Sequence, residues 1–257
     1  PAIFLGAVGL VDDLRTLQPL PRLIIQTVTA IVVSVFLINT DTVAIHFDST
    51  IVDEVIMVFW IIGICNSINF FDNLDGGAAG TVAISSIALA FLALNGDQYL
   101  IAALSAVTAG ATLGFLVWNK SPAKIYMGDA GALFLGVLLA TLTIRLRPDS
   151  DTQIGSYFTP IFLLAIPILD TSVAVISRIS RHVSPFQGGQ DHLSHRLIRS
   201  GLTRKTSAII LWSLSGLFAG VSVLLTNASQ SSTNYLLIGS GLTWLVLFIA
   251  FFRTKDN

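Results

Sequence analysis

The sequence predicts an all-α, polytopic membrane protein: a transmembrane helical bundle of about eight complete spans that follow a truncated first one. Three observations on composition support this fold class: the hydrophobic fraction, the charged fraction and the mean hydropathy. Of the 257 residues, 53% are hydrophobic and only 11% are charged, and the mean hydropathy is +0.79. Such a composition is typical of membrane proteins rather than soluble domains. The lipid bilayer is therefore the expected partner, and a formal net charge of −1 gives no indication of nucleic acid.

Apolar segments of spanning length follow one another with no soluble domain between them. Residues 1–11 are too short to cross a bilayer, which needs about 20 apolar residues, and we interpret them as the end of a span. The complete spans are predicted at 23–38, 53–71, 79–95, 100–118, 131–145, 157–177, 207–226 and 235–252. We therefore expect one integral-membrane domain over residues 1–257, with further spans belonging upstream of it.

Basic residues are distributed unevenly between the two ends of these spans. Counting crossings assigns five polar segments to one side of the membrane: 12–22, 72–77, 119–129, 178–206 and 253–257. These segments hold 12 of the 14 lysines and arginines, the exceptions being Arg145 and Arg147. The positive-inside rule places that side in the cytoplasm. We therefore expect a plasma-membrane protein whose polar clusters face the cytoplasm.

The polar stretch 66–80 lies between two strongly apolar runs, where carboxylates and amides are costly without partners. Four polar side chains recur there at every third position: Asn66, Asn69, Asp72 and Asp75. Each step of three residues drifts by about 60° around a helix with 3.6 residues per turn. A regular helix could not direct all four to one point, so we expect a helix end near 73–77. The stretch is either a polar seam between helices or a cation and phosphate site at the membrane surface.

Two further acidic clusters fall on the same predicted side. Asp12 and Asp13 are adjacent, and their charges repel unless a cation or basic group joins them; the pair could also cap a helix or start a turn. Asp129 stands between Gly128 and Gly131 just before a span. It is either a helix N-cap or an oxygen ligand for Mg²⁺ or Mn²⁺, since such sites combine one or two carboxylates with substrate phosphates.

Histidines and arginines are concentrated in the segment 178–204, which includes the run Asp191-His192-Leu193-Ser194-His195-Arg196. A single His-x-x-His pair without cysteine or a nearby glutamate is a poor fit to zinc. A basic face attracted to anionic lipid is one interpretation. We favour anion recognition, in which His192, His195 and Arg196 bind a diphosphate.

Taken together, these clusters suit metal-assisted transfer between a diphosphate and a membrane-held phosphate, where positioning and charge neutralisation supply most of the catalysis. The sequence has no Walker loop, nucleophile elbow or Rossmann fingerprint. A transporter would place its acids near mid-span, whereas here the acids of these clusters meet at one membrane interface and only Asp170 lies deeper. A CDP-alcohol phosphotransferase would need an arginine that the run 75–80 lacks.

Four ordered features form a recognisable pattern: Gly9-x-x-Asp12-Asp13, Asn66-x-x-Asn69-x-x-Asp72-x-x-Asp75-Gly76, Met127-Gly128-Asp129-x-Gly131 and the histidine-containing segment. The pattern resembles the polyprenyl-phosphate N-acetylhexosamine-1-phosphate transferases, over essentially the whole chain. The resemblance implies that a UDP-N-acetylhexosamine and a polyprenyl phosphate give a polyprenyl-diphospho-sugar and UMP, with Mg²⁺ required. It also allows a homodimer.

Roles for individual residues follow from the resemblance by position. Asp129 would ligate the metal with Asp72 beside it, and Asp12 or Asp13 would deprotonate or orient the lipid phosphate. Three residues would order the site or face phosphate: Asn66, Asn69 and Arg22. Three others would hold the uracil: Asp75, Asn119 and Tyr126, the last by stacking.

The histidine-containing segment also indicates the branch of the family. The pentapeptide translocase has consecutive histidines there, whereas His192 and His195 are separated by Leu193 and Ser194. This difference resembles the GlcNAc-transferring branch and favours UDP-GlcNAc as the donor. The resemblance implies undecaprenyl phosphate as the acceptor, in the first membrane step of a cell-envelope glycopolymer. Another UDP-HexNAc, UDP-MurNAc-pentapeptide, and a non-catalytic lipid-binding or transport protein are the alternatives.

Overall fold

The computed structural model describes residues 1–15, 17–44, 46, 49–148, 152–185 and 189–254. Within these residues the chain forms eleven helices: α1 Ala2–Arg15, α2 Pro19–Asn39, α3 Thr50–Phe71, α4 Gly77–Asn95, α5 Tyr99–Asn119, α6 Gly128–Arg145, α7 Gln153–Leu163, α8 Ala165–Ser180, α9 Leu193–Arg199, α10 Arg204–Thr226 and α11 Gln230–Arg253. The predicted all-α fold class is confirmed.

Seven of the described helices are long and apolar enough to cross a membrane, namely α2 to α6, α10 and α11. The short helices α7 and α8 are long and apolar enough only as a pair, which is bent by 68° at the break and fits either a broken span or a re-entrant loop. The predicted span at 157–177 is therefore wrong as a single continuous helix, because the chain breaks at Leu164.

Side chains from three other helices satisfy the backbone at this break. Pro167 has no N–H to donate to the carbonyl four residues earlier, that of Leu163, and lipid offers no donor in its place. Three side chains donate to carbonyls around Leu164: Ser85 Oγ to Leu163 O (2.7 Å), Ser222 Oγ to Thr159 O (3.1 Å) and Trp244 Nε1 to Ala165 O (3.2 Å). The break is thus a buried, hydrogen-bonded feature of the bundle.

Two glycines allow α6 to lie close against α1 and α3. A Cβ atom at Gly9 would lie 2.3 Å from the carbonyl oxygen of Asp129, and one at Gly136 would lie 2.7 Å from Cα of Cys65. Any side chain at either position would separate the helices. This packing brings the first turn of α6 beside the last turn of α1.

The expected loop at 12–22 is mostly helical. The helix α1 continues through Arg15, and α2 begins at Pro19 with Pro19 and Pro21 in its first turn. Proline fits there because the first N–H groups of a helix have no intrahelical partner. The expected helix end near 73–77 is confirmed: α3 ends at Phe71, and Gly76 adopts a left-handed φ of 74° before α4 begins.

Candidate active site

The ends of α1, α2, α3 and α6 bring two carboxylates onto one guanidinium. Arg22 Nη1 donates to Asp12 Oδ2 at 2.8 Å and to Asp129 Oδ2 at 2.9 Å. Asn69 Nδ2 donates to the other oxygen of Asp129 at 2.6 Å. Because each contact involves an ionised group, these hydrogen bonds are stronger than neutral ones and hold the carboxylates in place. Four residues that the sequence analysis singled out are thus in direct contact.

Asp13 has a different role from its neighbour Asp12. Its two oxygens accept the backbone N–H groups of Asp129 (2.9 Å) and Ala130 (3.1 Å), at the start of α6, where a helix has unpaired donors and a partial positive charge. Gly128 has a φ of 65°, and a Cβ atom there would lie 2.7 Å from Asp13 Oδ2. Asp13 therefore fixes the position of Asp129, and only glycine fits beside it.

Asp72 follows directly after α3 and lies in an excess of negative charge. Burial, together with the charge of Asp129 and that of Asp13, raises the pKa of Asp72 to about 7. No set of three or more His, Cys, Asp or Glu side chains in the described ranges is arranged as a ready metal site. Mg²⁺, however, is commonly bound by one or two carboxylates plus substrate phosphates. The hard oxygens of Asp72 and Asp129 fit such a shared site.

Asn66 lies one turn deeper than Asn69 and contacts a residue that the sequence analysis did not single out. Its Nδ2 donates to Gln26 Oε1 and to Ile62 O, both at 2.8 Å. Gln26 is buried in α2, one turn after Arg22. An amide four residues after Arg22 in an apolar span was the available signal, since residues four apart share a helix face.

The three residues assigned to uracil surround the turn after α3. Asp75 Oδ2 accepts the N–H of Ala123 at 3.2 Å. Asn119 is only 3% exposed, and its amide accepts the N–H of Gly76 (3.1 Å) and donates to Ile125 O (2.9 Å). Asn119 therefore braces the loop. Tyr126 is 76% exposed, which leaves its ring accessible for stacking.

His192 is buried in a polar network beneath the surface. Its Nδ1 lies 2.7 Å from Asp170 Oδ2, and its Nε2 lies 3.3 Å from Arg178 Nη2. A guanidinium only donates hydrogen bonds, so His192 Nε2 accepts and Nδ1 carries the proton given to Asp170. His192 is 5% exposed and both of its ring nitrogens have partners within the protein, so its contact with a diphosphate stays a prediction.

Arg196, which the sequence analysis assigned to substrate binding, is also buried, and that role stays a prediction. Its side chain is 1% exposed and its guanidinium ties α9 to distant parts of the chain. Its contacts are Asp191 O (2.8 Å), Phe251 O (2.9 Å), Thr254 O (2.8 Å) and Ser177 Oγ (3.0 Å). The last carbonyls of a helix lack the usual intrahelical donors. Arg196 donates to Phe251 O and Thr254 O at the end of α11, and Phe251 O also accepts the N–H of Thr254 at 3.1 Å.

His195 is the more accessible imidazole of the segment. Burial, followed by the nearby His192 and Arg199, lowers the pKa of His195, which favours its neutral form at pH 7. The preceding Ser194 donates a hydrogen bond to Asn73 Oδ1. This bond joins α9 to the turn between α3 and α4, so the histidine segment and the central acidic motif form one site.

Asp191 stabilises the same segment from the other side. It accepts hydrogen bonds from Arg178 Nε, at 2.9 Å, and from Arg181 Nη2. Burial alone would raise the pKa of Asp191, but these hydrogen bonds and charges outweigh it, and the pKa is lowered. Asp191 is therefore held ionised in the folded protein.

The fold and this site together define an integral-membrane protein with a cluster of carboxylates at one end of its helices. The sequence profile of glycosyl transferase family 4 matches residues 1–147. A probable undecaprenyl-phosphate N-acetylglucosaminyl 1-phosphate transferase from Bacillus subtilis is 33% identical over 255 residues, which cover 97% of this chain and 67% of that protein.

Two further relatives carry related names. A decaprenyl-phosphate N-acetylglucosaminephosphotransferase from Mycobacterium leprae is 30% identical over 217 residues, covering 76% of this chain and 54% of that protein. A phospho-N-acetylmuramoyl-pentapeptide-transferase from Streptococcus uberis is 40% identical over 93 residues, covering 36% of this chain and 28% of that protein. The chain belongs to glycosyl transferase family 4. It spans about two thirds of the Bacillus relative and little more than half of the mycobacterial one.

Proposed function

We propose that this protein transfers N-acetylglucosamine-1-phosphate from UDP-GlcNAc to a polyprenyl phosphate, with undecaprenyl phosphate as the expected acceptor. The products are polyprenyl-diphospho-GlcNAc and UMP, at the first membrane step of a cell-envelope glycopolymer. The names of the Bacillus and mycobacterial relatives, which cover 97% and 76% of this chain, support this choice of donor and acceptor. The chain acts as a single transferase domain.

The observation that carries the proposal is the position of Arg22 between Asp12 and Asp129. A guanidinium offers a planar fork of donors that matches phosphate as well as carboxylate. Placed at the end of a spanning helix, it can bind a phosphate whose prenyl chain stays in the bilayer. Arg22 and Asp12 therefore orient the lipid phosphate beside Asp129.

In the proposed reaction, an oxygen of the polyprenyl phosphate attacks the phosphorus that carries the sugar. A bond forms between them, the bond from that phosphorus to the bridging oxygen breaks, and UMP leaves with that oxygen. A phosphate monoester has a second pKa of about 6, so at pH 7 the attacking group is mostly dianionic. Asp12 then orients it and accepts a residual proton, while Asp13 positions Asp129 through the backbone of α6.

Asp72 and Asp129 would hold Mg²⁺, or Mn²⁺ in its place. When bound there, the ion would neutralise the charge that develops on the diphosphate. The raised pKa of Asp72 supports this assignment, because burial and then the charges of Asp129 and Asp13 disfavour its ionised form, which a bound cation would stabilise. Tyr126 stacks on the uracil beside Asp75, and His195 contacts the diphosphate.

The test uses membranes that contain the protein, radiolabelled UDP-GlcNAc, undecaprenyl phosphate and Mg²⁺. Label entering the lipid phase with release of UMP, lost on chelation and in Asp129→Asn, is the expected result. Transfer from a different UDP-HexNAc, or from UDP-MurNAc-pentapeptide, would change the donor and keep the chemistry. Folded protein that transfers from no donor would overturn the proposal and favour a lipid-binding or transport role.

We also propose that the active site faces the cytoplasm, as the distribution of basic residues indicates. The chain has one cysteine, Cys65, which is buried. A cysteine introduced at the exposed Lys124 would therefore be the main target of a membrane-impermeant maleimide. Labelling in inverted vesicles and protection in right-side-out vesicles are expected, and the reverse pattern would refute this orientation.

The resemblance also allows a homodimer, and light scattering of the protein in detergent tests it.

A further inference from the structure

Side chains from two different helices hold the turn that presents Asp75. The peptide N–H of Gly76 donates to Asn119 Oδ1 of α5 at 3.1 Å. Its carbonyl accepts the indole N–H of Trp212 of α10, also at 3.1 Å. Gly76 has a left-handed φ of 74°, and its carbonyl also accepts the N–H of Gly80 at 3.0 Å, at the start of α4. The two side chains therefore hold Gly76 from α5 and from α10.

The indole of Trp212 fits a space that two glycines leave open. A Cβ atom at Gly80, one turn into α4, would lie 2.2 Å from Trp212 Nε1, and one at Gly76 would lie 3.2 Å from Trp212 Cζ2. Interiors packed at this density do not accommodate an added methyl group without movement. The position of the ring, and hence the direction of its N–H, is therefore fixed by contact with α4.

Trp212 also lines a cavity of about 220 Å³ together with Asp75, Lys120, Ser121 and Lys205. Lys205 and Trp212 stand seven residues apart, so they lie on the same face of α10. The half-buried indole thus packs against Gly80 and contributes to a wall of the cavity that contains Asp75. Its neighbours there offer a carboxylate, a hydroxyl and two ammonium groups, which suit a polar and anionic ligand such as a nucleotide.

We propose that Trp212 is a positioning residue for the nucleotide of the donor substrate, acting through the Gly76 carbonyl on Asp75. This inference rests on the proposed function, because it takes a UDP-sugar as the donor. Without the indole N–H, the Gly76 carbonyl keeps only the N–H of Gly80 as a donor, and the turn loses its hydrogen bond to α10. Asp75 then moves relative to the cavity. The lipid phosphate is bound by Arg22 and Asp12 on other helices, so its binding is left unchanged.

Two variants disturb this contact from opposite sides. Trp212→Phe removes the N–H and keeps an aromatic ring, whereas Gly80→Ala keeps the indole and displaces it. Gly110→Ala is the matched control, because a Cβ atom at Gly110 would meet no atom within 4 Å. All variants are compared at equal amounts of monodisperse protein.

Loss of one hydrogen bond predicts that Trp212→Phe and Gly80→Ala each raise KM for UDP-GlcNAc about three- to tenfold. The KM for undecaprenyl phosphate and kcat should stay within about twofold of wild type, and Gly110→Ala should match wild type. The double variant should show less than the product of the two single effects, because both act on one contact. A purely structural role would instead lower kcat and the affinity for both substrates together.

Direct binding of UMP separates the possible failures. Wild-type protein that neither binds UMP nor transfers sugar would overturn the proposed function. If Trp212→Phe and Gly80→Ala both bound UMP as tightly as wild type, the role of Trp212 would be overturned and the proposed function would stand.

Discussion

Substitution of Arg196 tests whether this buried guanidinium is structural or binds substrate. Arg196→Ala removes the donors of Asp191 O, Phe251 O and Thr254 O, which join α9 to the end of α11. Each hydrogen bond from a charged donor is worth about 1.5–3 kcal/mol. Removing one partner of a buried charged network costs about 3–5 kcal/mol, which is the loss of unfolding free energy that we expect.

At roughly 2–4 °C per kcal/mol, this loss corresponds to a fall of about 6–20 °C in the thermal midpoint. Thermal unfolding of purified protein in detergent, followed by tryptophan fluorescence, measures it. Arg196→Lys should be intermediate, because lysine keeps the charge and lacks the planar fork. Arg199→Ala is the control: this exposed arginine of the same helix donates to Gln190 O at the surface, and its loss should cost about 1 kcal/mol or less.

The opposite pattern would refute this reasoning. If Arg196→Lys kept the wild-type thermal midpoint and raised KM for UDP-GlcNAc tenfold, the guanidinium would be binding the donor substrate. In that case the hydrogen bonds to the end of α11 would be dispensable.

Three further predictions concern the acidic cluster and the packing around it. Because the pKa of Asp72 is raised to about 7, protons compete with the metal for this carboxylate. The Mg²⁺ concentration for half-maximal activity should therefore rise up to about tenfold per pH unit below pH 7. An unchanged Mg²⁺ requirement between pH 7 and pH 5.5 would contradict Asp72 as a ligand. Gly9→Ala should destabilise the protein by about 1–3 kcal/mol and reduce sugar-phosphate transfer, because its Cβ would lie 2.3 Å from Asp129 O. Gly114→Ala is the control, since a Cβ atom there would meet no atom within 4 Å. Equal thermal midpoints for the two variants would refute the close contact at Gly9. Because the pKa of Asp191 is lowered in the folded protein, its ionised form adds stability above the usual carboxyl pKa, about 4, and this stability is lost as pH falls through the lowered pKa. Asp191→Asn should therefore lower the thermal midpoint at pH 7. A difference in midpoint between variant and wild type that persisted at the lowest pH at which the protein stays folded would argue against this ionic role.

The convergence of the acidic motifs was predictable from the sequence. Counting spans placed Asp12, Asp72 and Asp129 at one membrane surface, and the three-residue spacing of the central motif predicted a helix end near Gly76. These inferences succeeded because they depend on local periodicity and on the length of a bilayer-spanning helix.

Contacts between distant segments were not predictable in the same way. The partners of Arg196 lie about 55 residues further along the chain, so its sequence neighbourhood indicated an accessible basic loop. Hydropathy does not distinguish a continuous span from one broken at Leu164, because both have the same composition. Trp212 and Gln26 were missed for a related reason: a single polar or aromatic residue in an apolar helix shows nothing about the helix that faces it.

The hydrogen bonds at Leu164 constrain the order in which this protein completes its fold during synthesis. Of the three side chains that satisfy the break, Ser85 is made before it, whereas Ser222 and Trp244 are made after it. A nascent chain that ends after α8 therefore has the Ser85 hydrogen bond but lacks the two that later helices donate to Thr159 O and Ala165 O. The segment gains its full set of partners only when the last two helices arrive, so C-terminal truncation would remove more than the helices it deletes.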